Sequence, residues 1–284
     1  MRNKTERIAL VTGCSSGFGL LTCVELARKG FTVIAGMRRP ADKDELMRTA
    51  QIAGVDSSIQ VVEMDVMKEE QVYRVVQQIQ EQYGHLDVLV NNAGAAFGGM
   101  IEEIPLSVWK EQFEVNFLGM VCVTQAVIPL MREGSGGRII QMSSISGGVG
   151  FPGFGPYASS KFALEGFSEC LAMEVKQFGI DVVLVEPGAY GTPIWGKSFS
   201  QLRAASHSPY KDLLERIIQY SQRTETGSGD PSDVALLIAK IATVHSPSFR
   251  YRLPRGTALT MLAKQVLPDR WFQMMILYLL NKKS

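Results

Sequence analysis

Tyr157 and Lys161 stand four residues apart in Tyr157-Ala158-Ser159-Ser160-Lys161, a spacing that on a helix puts both side chains on one face, one turn apart. An ammonium beside a phenol favours the phenolate and lowers a pKa that is ordinarily about 10. Such a tyrosine can give and take a proton near neutral pH. For the pair alone, the plain alternative is a surface lysine lying across a half-buried ring. A second chemical feature stands near the start of the chain. The apolar run Arg7-Ile8-Ala9-Leu10-Val11-Thr12 leads into Gly13-Cys14-Ser15-Ser16-Gly17-Phe18-Gly19, and a helical pattern follows through Leu20, Leu21, Val24, Leu26 and Ala27. Strand, glycine-rich turn and helix form the context of a phosphate-binding loop. Glycines let the backbone approach a pyrophosphate, and the helix N-terminus offers it unpaired N–H groups. The spacing Gly-x-x-x-Gly-x-Gly differs from the commoner Gly-x-Gly-x-x-Gly, and a glycine-rich hairpin turn is the alternative for this segment alone.

The elements that must position these groups follow from periodicity. Strand-like runs lie near 7–12, 31–36, 59–64, 86–91, 138–143, 180–186 and 248–253, with helical patterns between them. That alternation predicts an α/β fold of the Rossmann type: a doubly wound, mainly parallel seven-stranded sheet with helices on both faces. The 284 residues are 46% hydrophobic and 20% charged, enough to bury a full core, and no repeat or low-complexity block divides them, so one domain over 1–284 is expected. A net charge of +1 gives no reason to expect nucleic acid. Cys14, Cys23, Cys122 and Cys170 show no Cys-x-x-Cys spacing, and His85, His207 and His245 are dispersed. A reduced, cytoplasmic setting without a metal site is the expectation. Arg2, Lys4, Glu6 and Arg7 precede only a short strand, which is not the pattern of a signal peptide. Near the other end, Trp271-Phe272-Gln273-Met274-Met275-Ile276-Leu277-Tyr278-Leu279-Leu280 is strongly apolar and precedes Lys282 and Lys283. It is too short for a bilayer span of about 20 residues. Closing the core over a pocket, a subunit contact and peripheral contact with a membrane surface are its three readings.

Leu86-Asp87-Val88-Leu89-Val90 reads as a buried strand and runs into Asn91-Asn92-Ala93-Gly94. Thr12-Gly13-x-x-x-Gly17-x-Gly19, Asn91-Asn92-Ala93-Gly94, Tyr157-x-x-x-Lys161 and Pro187-Gly188 together resemble the short-chain dehydrogenase/reductase family, in family order and at family-like separations. The resemblance covers roughly residues 5–195, the expected cofactor-binding and catalytic core, with 195–284 as substrate loop and C-terminal region. The runs Thr12-Gly13-Cys14-Ser15-Ser16-Gly17, Ala35-x-x-Arg38 and Lys161-Phe162-Ala163-Leu164-Glu165-Gly166 look like its steroid- and retinol-dehydrogenase branch.

The resemblance implies a catalytic set of Asn116, Ser144, Tyr157 and Lys161. Ser144 ends the strand Arg138-Ile139-Ile140-Gln141-Met142, thirteen residues before Tyr157, and would hold the substrate carbonyl, leaving Ser143 and Ser146 as turn formers. Asn116 sits in an otherwise helical stretch, where asparagine is an indifferent helix former. It resembles the family residue that kinks this helix and holds a water leading to Lys161, with a surface-facing asparagine as the alternative. For the cofactor, the implied contacts are Gly13, Gly17, Phe18 and Gly19 on the diphosphate side, with Ser15 or Ser16 as candidate hydroxyl donors to a 2′-phosphate. Asp65 and Val66 would meet the adenine side, Pro187 and Gly188 the nicotinamide, and Thr192 its carboxamide or the diphosphate, with Asn92, Ala93 and Gly94 as further cofactor contacts. Asp65 and Thr192 each have a helix N-cap as a plain alternative. After the second strand, Phe31-Thr32-Val33-Ile34-Ala35, no carboxylate stands where one would reject a 2′-phosphate. Arg38 and Arg39 stand there instead and can pair with that phosphate. NADP(H) is therefore the expected cofactor, with Arg38 ahead of Arg39.

Ala95, Phe97, Phe151, Phe154, Tyr190, Trp195 and Phe199 occupy the family's substrate-facing loops and are apolar or aromatic. A hydrophobic ketone, aldehyde or alcohol is the expected small-molecule partner, in a carbonyl reductase or alcohol dehydrogenase that pairs into a homodimer or homotetramer. A non-catalytic NADP(H)-sensing protein on the same fold is the rival, as is a nucleotide-sugar epimerase. The first would be expected to lack Tyr157, Lys161 or Ser144. The second would be expected to carry Gly-x-x-Gly-x-x-Gly in its first turn.

Overall fold

The computed structural model describes residues 6–134, 136–192, 194, 208–226 and 229–281. Seven strands, β1 (Arg7–Thr12), β2 (Phe31–Met37), β3 (Ile59–Glu63), β4 (Val88–Asn91), β5 (Gly137–Met142), β6 (Ile180–Pro187) and β7 (Arg250–Leu253), form one sheet. The order is β3-β2-β1-β4-β5-β6-β7, and every neighbouring pair is parallel. The order reverses between β1 and β4, which opens a crevice at their C-terminal ends, the place where ligands enter such sheets. Among the described residues the helices are α1 (Gly17–Arg28), α2 (Asp44–Ile52), α3 (Glu69–Gln82), α4 (Leu106–Phe113), α5 (Gly119–Gly134), α6 (Gly155–Val175), α7 (Lys211–Thr226), α8 (Pro231–Thr243), α9 (Arg255–Val266) and α10 (Asp269–Asn281).

Strand periodicity sorts the apolar residues into two cores. Ala9, Val11, Val33, Ala35, Val90 and Ile140 face α1, α2 and α8. Their alternates Ile8, Leu10, Ile34, Leu89, Ile139 and Val182 face α3, α5 and the end of α6. The central strands are buried on both faces, which is why they read as near-continuous apolar runs.

Two strand edges differ from expectation. β4 begins at Val88 rather than at residue 86; Asp87 already meets its neighbours there, its N–H donating to the Ile8 carbonyl at 3.0 Å and its carboxylate accepting the Ile8 N–H at 2.7 Å. β7 begins at Arg250 rather than at 248, since the Ser248 N–H turns back to the Tyr251 hydroxyl at 3.0 Å. The helical run 106–134 is long and apolar enough to cross a membrane by length and composition, yet Val123, Val127, Leu130 and Met131 within it belong to the second core. At the C-terminal end, α10 buries Phe272, Ile276 and Leu280. Leu280 packs with Phe154, Leu214 and Ile217, so the apolar segment does help close a pocket wall.

Candidate active site

The first loop is shaped for close backbone approach. Gly13 has φ +71° and Gly17 φ +59°, left-handed values that favour glycine. A Cβ at Gly19 would lie 2.3 Å from the Gly13 carbonyl oxygen and 2.4 Å from Asn92 Nδ2, so no side chain fits there. Ser16 occupies the N-cap of α1 with extended backbone and makes no side-chain cap bond, and the first turn holds no acidic residue. Its N–H groups and the positive end of the helix dipole are left for an anion.

β4 is bolted to this loop. Asn92 Nδ2 donates to the Thr12 and Gly13 carbonyls at 2.9 and 3.0 Å, and the N–H groups of Asn92 and Ala93 both donate to Thr12 Oγ1 at 3.0 Å. Thr12 is thus a clamp residue, a role its place in the motif does not disclose. Asn92 belongs to the same clamp as well as to the groove wall.

Asn116 is fully buried in a π-type turn, Glu114–Leu118, that joins α4 to α5. This excludes the surface-facing reading, and π-type turns of this kind recur at functional sites. Its Oδ1 accepts the Ala95 N–H at 2.8 Å, and its Nδ2 donates to the Ala95 carbonyl at 2.9 Å and to Ser160 Oγ at 3.2 Å. Ser160 in turn donates to the Tyr157 carbonyl at 2.7 Å. Gln112 completes the brace: its Oε1 accepts the Phe97 N–H and its Nε2 donates to the Ala95 carbonyl, both at 2.8 Å. Gln112 was not foreseen, because a glutamine in an amphipathic helix reads as solvent-facing.

α6 starts at Gly155 with Pro156 in its first turn, which places Tyr157 and Lys161 on the buried side at 6% and 4% exposure. Ser144, at the end of β5, hydrogen-bonds the Tyr157 phenol and so favours its ionisation, but burial outweighs this and pushes Tyr157 above the usual phenol range. Lys161 does not offset it as the four-residue spacing suggested. Its Nζ donates to the Met142 carbonyl at 2.7 Å and lies 5.9 Å from the Tyr157 ring centroid. Burial pulls the ammonium down to about 8, opposed by the nearby Glu165 carboxylate. Ser143 is more than a turn former, since its hydroxyl donates to Glu165. Ser146 does fold the turn, donating its N–H to Ser144 Oγ at 3.1 Å.

A groove of about 430 Å³ runs over the strand ends. At one end it is lined by Ser15, Ser16, Gly17 and Phe18 of the first loop, by Arg38 and Arg39 after β2, and by Asp65 and Val66 after β3. Ala93, Gly94, Ala95, Phe97, Asn116, Ser144, Tyr157, Lys161, Pro187, Gly188 and Thr192 line the other half. Of the foreseen cofactor residues only Gly19 stays behind the wall, where it allows the loop its shape. Asp65 does not cap α3, which begins at Glu69 with Lys68 at its N-cap; its carboxylate instead accepts the Met67 N–H at 3.1 Å in a local turn. Arg39 is paired with Asp42 at 2.8 Å, while Arg38 is exposed on the groove edge.

A second cavity, about 350 Å³, adjoins the groove and shares Ser144, Gly188 and Tyr190 with it. Phe151, Phe154, Ile217 and Leu280 contribute its apolar wall. Trp195 and Phe199 lie outside the described residues.

Comparison with known proteins agrees with this geometry. The short chain dehydrogenase family model matches residues 7–203. An uncharacterized oxidoreductase, YusZ, of Bacillus subtilis is 44% identical over 93% of this chain and 94% of its own length. A 3-ketodihydrosphingosine reductase of Bacteroides thetaiotaomicron is 35% identical, covering 94% and 95%, and retinol dehydrogenase 8 of Bos taurus is 36% identical, covering 87% and 81%. Among solved structures, an actinorhodin polyketide ketoreductase with NADPH superposes with a TM-score of 0.77 at 28% identity, over 90% of this chain and 99% of that one. The chain belongs to the short-chain dehydrogenase/reductase family, in a retinol-dehydrogenase-like branch, as an oxidoreductase that works between C–OH and C=O with a nicotinamide cofactor.

Proposed function

We propose that this chain uses NADP(H) to interconvert a hydrophobic ketone or aldehyde and its alcohol, with Tyr157 as general acid and base. The observation that carries the reading is the junction of two cavities at Ser144. A groove with a glycine cradle meets an apolar pocket beside the buried Tyr157 phenol. The residues present fit a dinucleotide. Gly13 and Gly19 leave no room for a Cβ against Ala93, Asn92 and the Gly13 carbonyl, so only glycine gives the loop its tight shape beneath the groove, and the uncapped start of α1 suits a diphosphate. Arg38 favours the 2′-phosphorylated form. It stands exposed at the end of β2, Met37 rather than a carboxylate precedes it, and its neighbour Arg39 is already held by Asp42. The ketoreductase similar to this chain has NADPH in its structure.

When bound, the nicotinamide supplies or accepts the hydride. Ser144 would orient the substrate oxygen, and Tyr157 would give that oxygen a proton as charge develops on it, assistance of roughly 10²–10⁴-fold. The hydrogen bond from Ser144 favours Tyr157 as phenolate on the return. Both amide hydrogens of Asn116 are committed to Ala95 and Ser160, so in this reading Asn116 holds the first turn of α6 in place, and any relay runs through a water beside it. The apolar lining of the second pocket favours a substrate with an apolar body, in line with relatives named for a sphingoid ketone and for retinol. The test is a screen of NADPH consumption over long-chain, retinoid, steroid and small aromatic carbonyls. Turnover of apolar carbonyls is expected; binding of NADPH with no turnover of any class would favour the cofactor-sensing alternative.

A further inference from the structure

Helices α9 and α10 are apolar on the side they bury and again on the side they expose. Inward, Phe272 and Ile276 pack with Val149, and Leu280 with Phe154. Outward, Leu259, Leu262 and Val266 of α9 are 68, 55 and 71% exposed, and Trp271, Met274 and Tyr278 of α10 are 61, 52 and 67% exposed. Their spacings of three, four and seven residues put each set on one helical face. A surface helix of a soluble protein ordinarily turns polar residues outward, and a contiguous exposed apolar face marks an interaction surface.

Three features select the occupant. From 255 to 284 the sequence holds Arg255, Lys264, Arg270, Lys282 and Lys283 against the single acid Asp269; Lys264 is turned inward to the Gly148 carbonyl at 2.7 Å, and the remaining basic balance of the segment suits anionic headgroups. Trp271 and Tyr278 carry the amphipathic rings that sit at headgroup depth. The same two helices supply Gly256, Thr257, Thr260 and Leu280 to the apolar pocket, so the outer face and the pocket are opposite sides of one helical pair. We propose that the α9–α10 face docks this chain onto the surface of an anionic lipid bilayer. Passage of a lipid-dissolved substrate into the pocket from that surface rests additionally on the functional reading above.

Vesicle flotation of the full chain tests the docking without any turnover, so its failure and failure of the functional reading are separable. Vesicles of phosphatidylglycerol and phosphatidylcholine in about equal parts should carry the protein upward. Pure phosphatidylcholine should bind it roughly tenfold more weakly. The triple change Leu262→Gln, Trp271→Gln and Tyr278→Gln, confined to exposed positions, should lower the partition coefficient at least about tenfold while NADPH binding, the check on folding, is retained. Should the triple variant lose NADPH binding, Trp271→Gln alone should still weaken flotation by roughly threefold. Failure of the parent protein to float with anionic vesicles overturns the proposal. So does flotation unchanged by these substitutions, or a triple variant whose only change is a smaller oligomer in sedimentation.

Discussion

Replacing Lys161 by methionine should make the protein more stable at neutral pH while removing its chemistry. Lys161 is 4% exposed, and burial moves its ammonium from the ordinary 10.5 down to about 8. That displacement disfavours the folded, charged lysine by about 3 kcal/mol. Its 2.7 Å bond to the Met142 carbonyl returns about 1 kcal/mol, so Lys161→Met, of similar volume and uncharged, should gain about 2 kcal/mol at pH 7. For a chain of this size that is roughly 4–8 °C in Tm. Glu165 is not orphaned by the change, because it keeps Arg250 at 3.1 Å and the Ser143 hydroxyl. Below pH 8 the lysine is protonated in folded and unfolded chains alike, and the full penalty stands. Between about 8 and 10.5 the folded chain releases a proton that the unfolded chain keeps, so the parent gains stability as pH rises. The advantage of methionine should therefore shrink to near zero by about pH 9.5. Chemical denaturation of both proteins without cofactor, at pH 7 and about pH 9.5, measures this. A variant no more stable than the parent at pH 7, or an advantage that persists at the higher pH, would show that burying the Lys161 charge carries no such cost. A lysine kept in such a place is held for what its charge does.

Two other substitutions read the cofactor half. Arg38→Ala should raise the NADPH dissociation constant at least about tenfold through loss of a charge-assisted bond while leaving that of NADH within about twofold; equal changes in both, by fluorescence titration, would reject the 2′-phosphate role. Gly19→Ala places a Cβ 2.3 Å from the Gly13 carbonyl, so it should destabilise the fold by roughly 1–3 kcal/mol and lower affinity for both dinucleotides. Unaltered binding and Tm would show that the loop is not held as described.

The features legible in the sequence are local or strictly periodic. Apolar strand runs alternating with helical patterns disclosed a sheet covered on both faces, and the glycines of 13–19 disclosed a tight turn at the start of α1. The features that were missed depend on tertiary placement. A four-residue spacing sets where two Cβ atoms lie, but it does not say where a long lysine side chain ends, and Nζ turns to the Met142 carbonyl rather than to the phenol oxygen. Asp65 has the residue type of a cap, yet the helix nucleates at Glu69 and Glu70, where carboxylates suit the helix dipole. Gln112 and Asn116 look solvated until folding brings Ala95 against them. The Glu165–Arg250 pair joins residues 85 apart in sequence, with no motif to announce it.

The most direct test of the catalytic reading removes one oxygen atom. Tyr157→Phe leaves the ring and its packing in place, and takes away the only group proposed to pass a proton to the substrate. NADPH affinity should stay within about twofold while steady-state reduction of the best apolar carbonyl falls by roughly 10²–10⁴-fold. A variant that binds NADPH and still turns over within about tenfold of the parent would contradict the assignment of Tyr157.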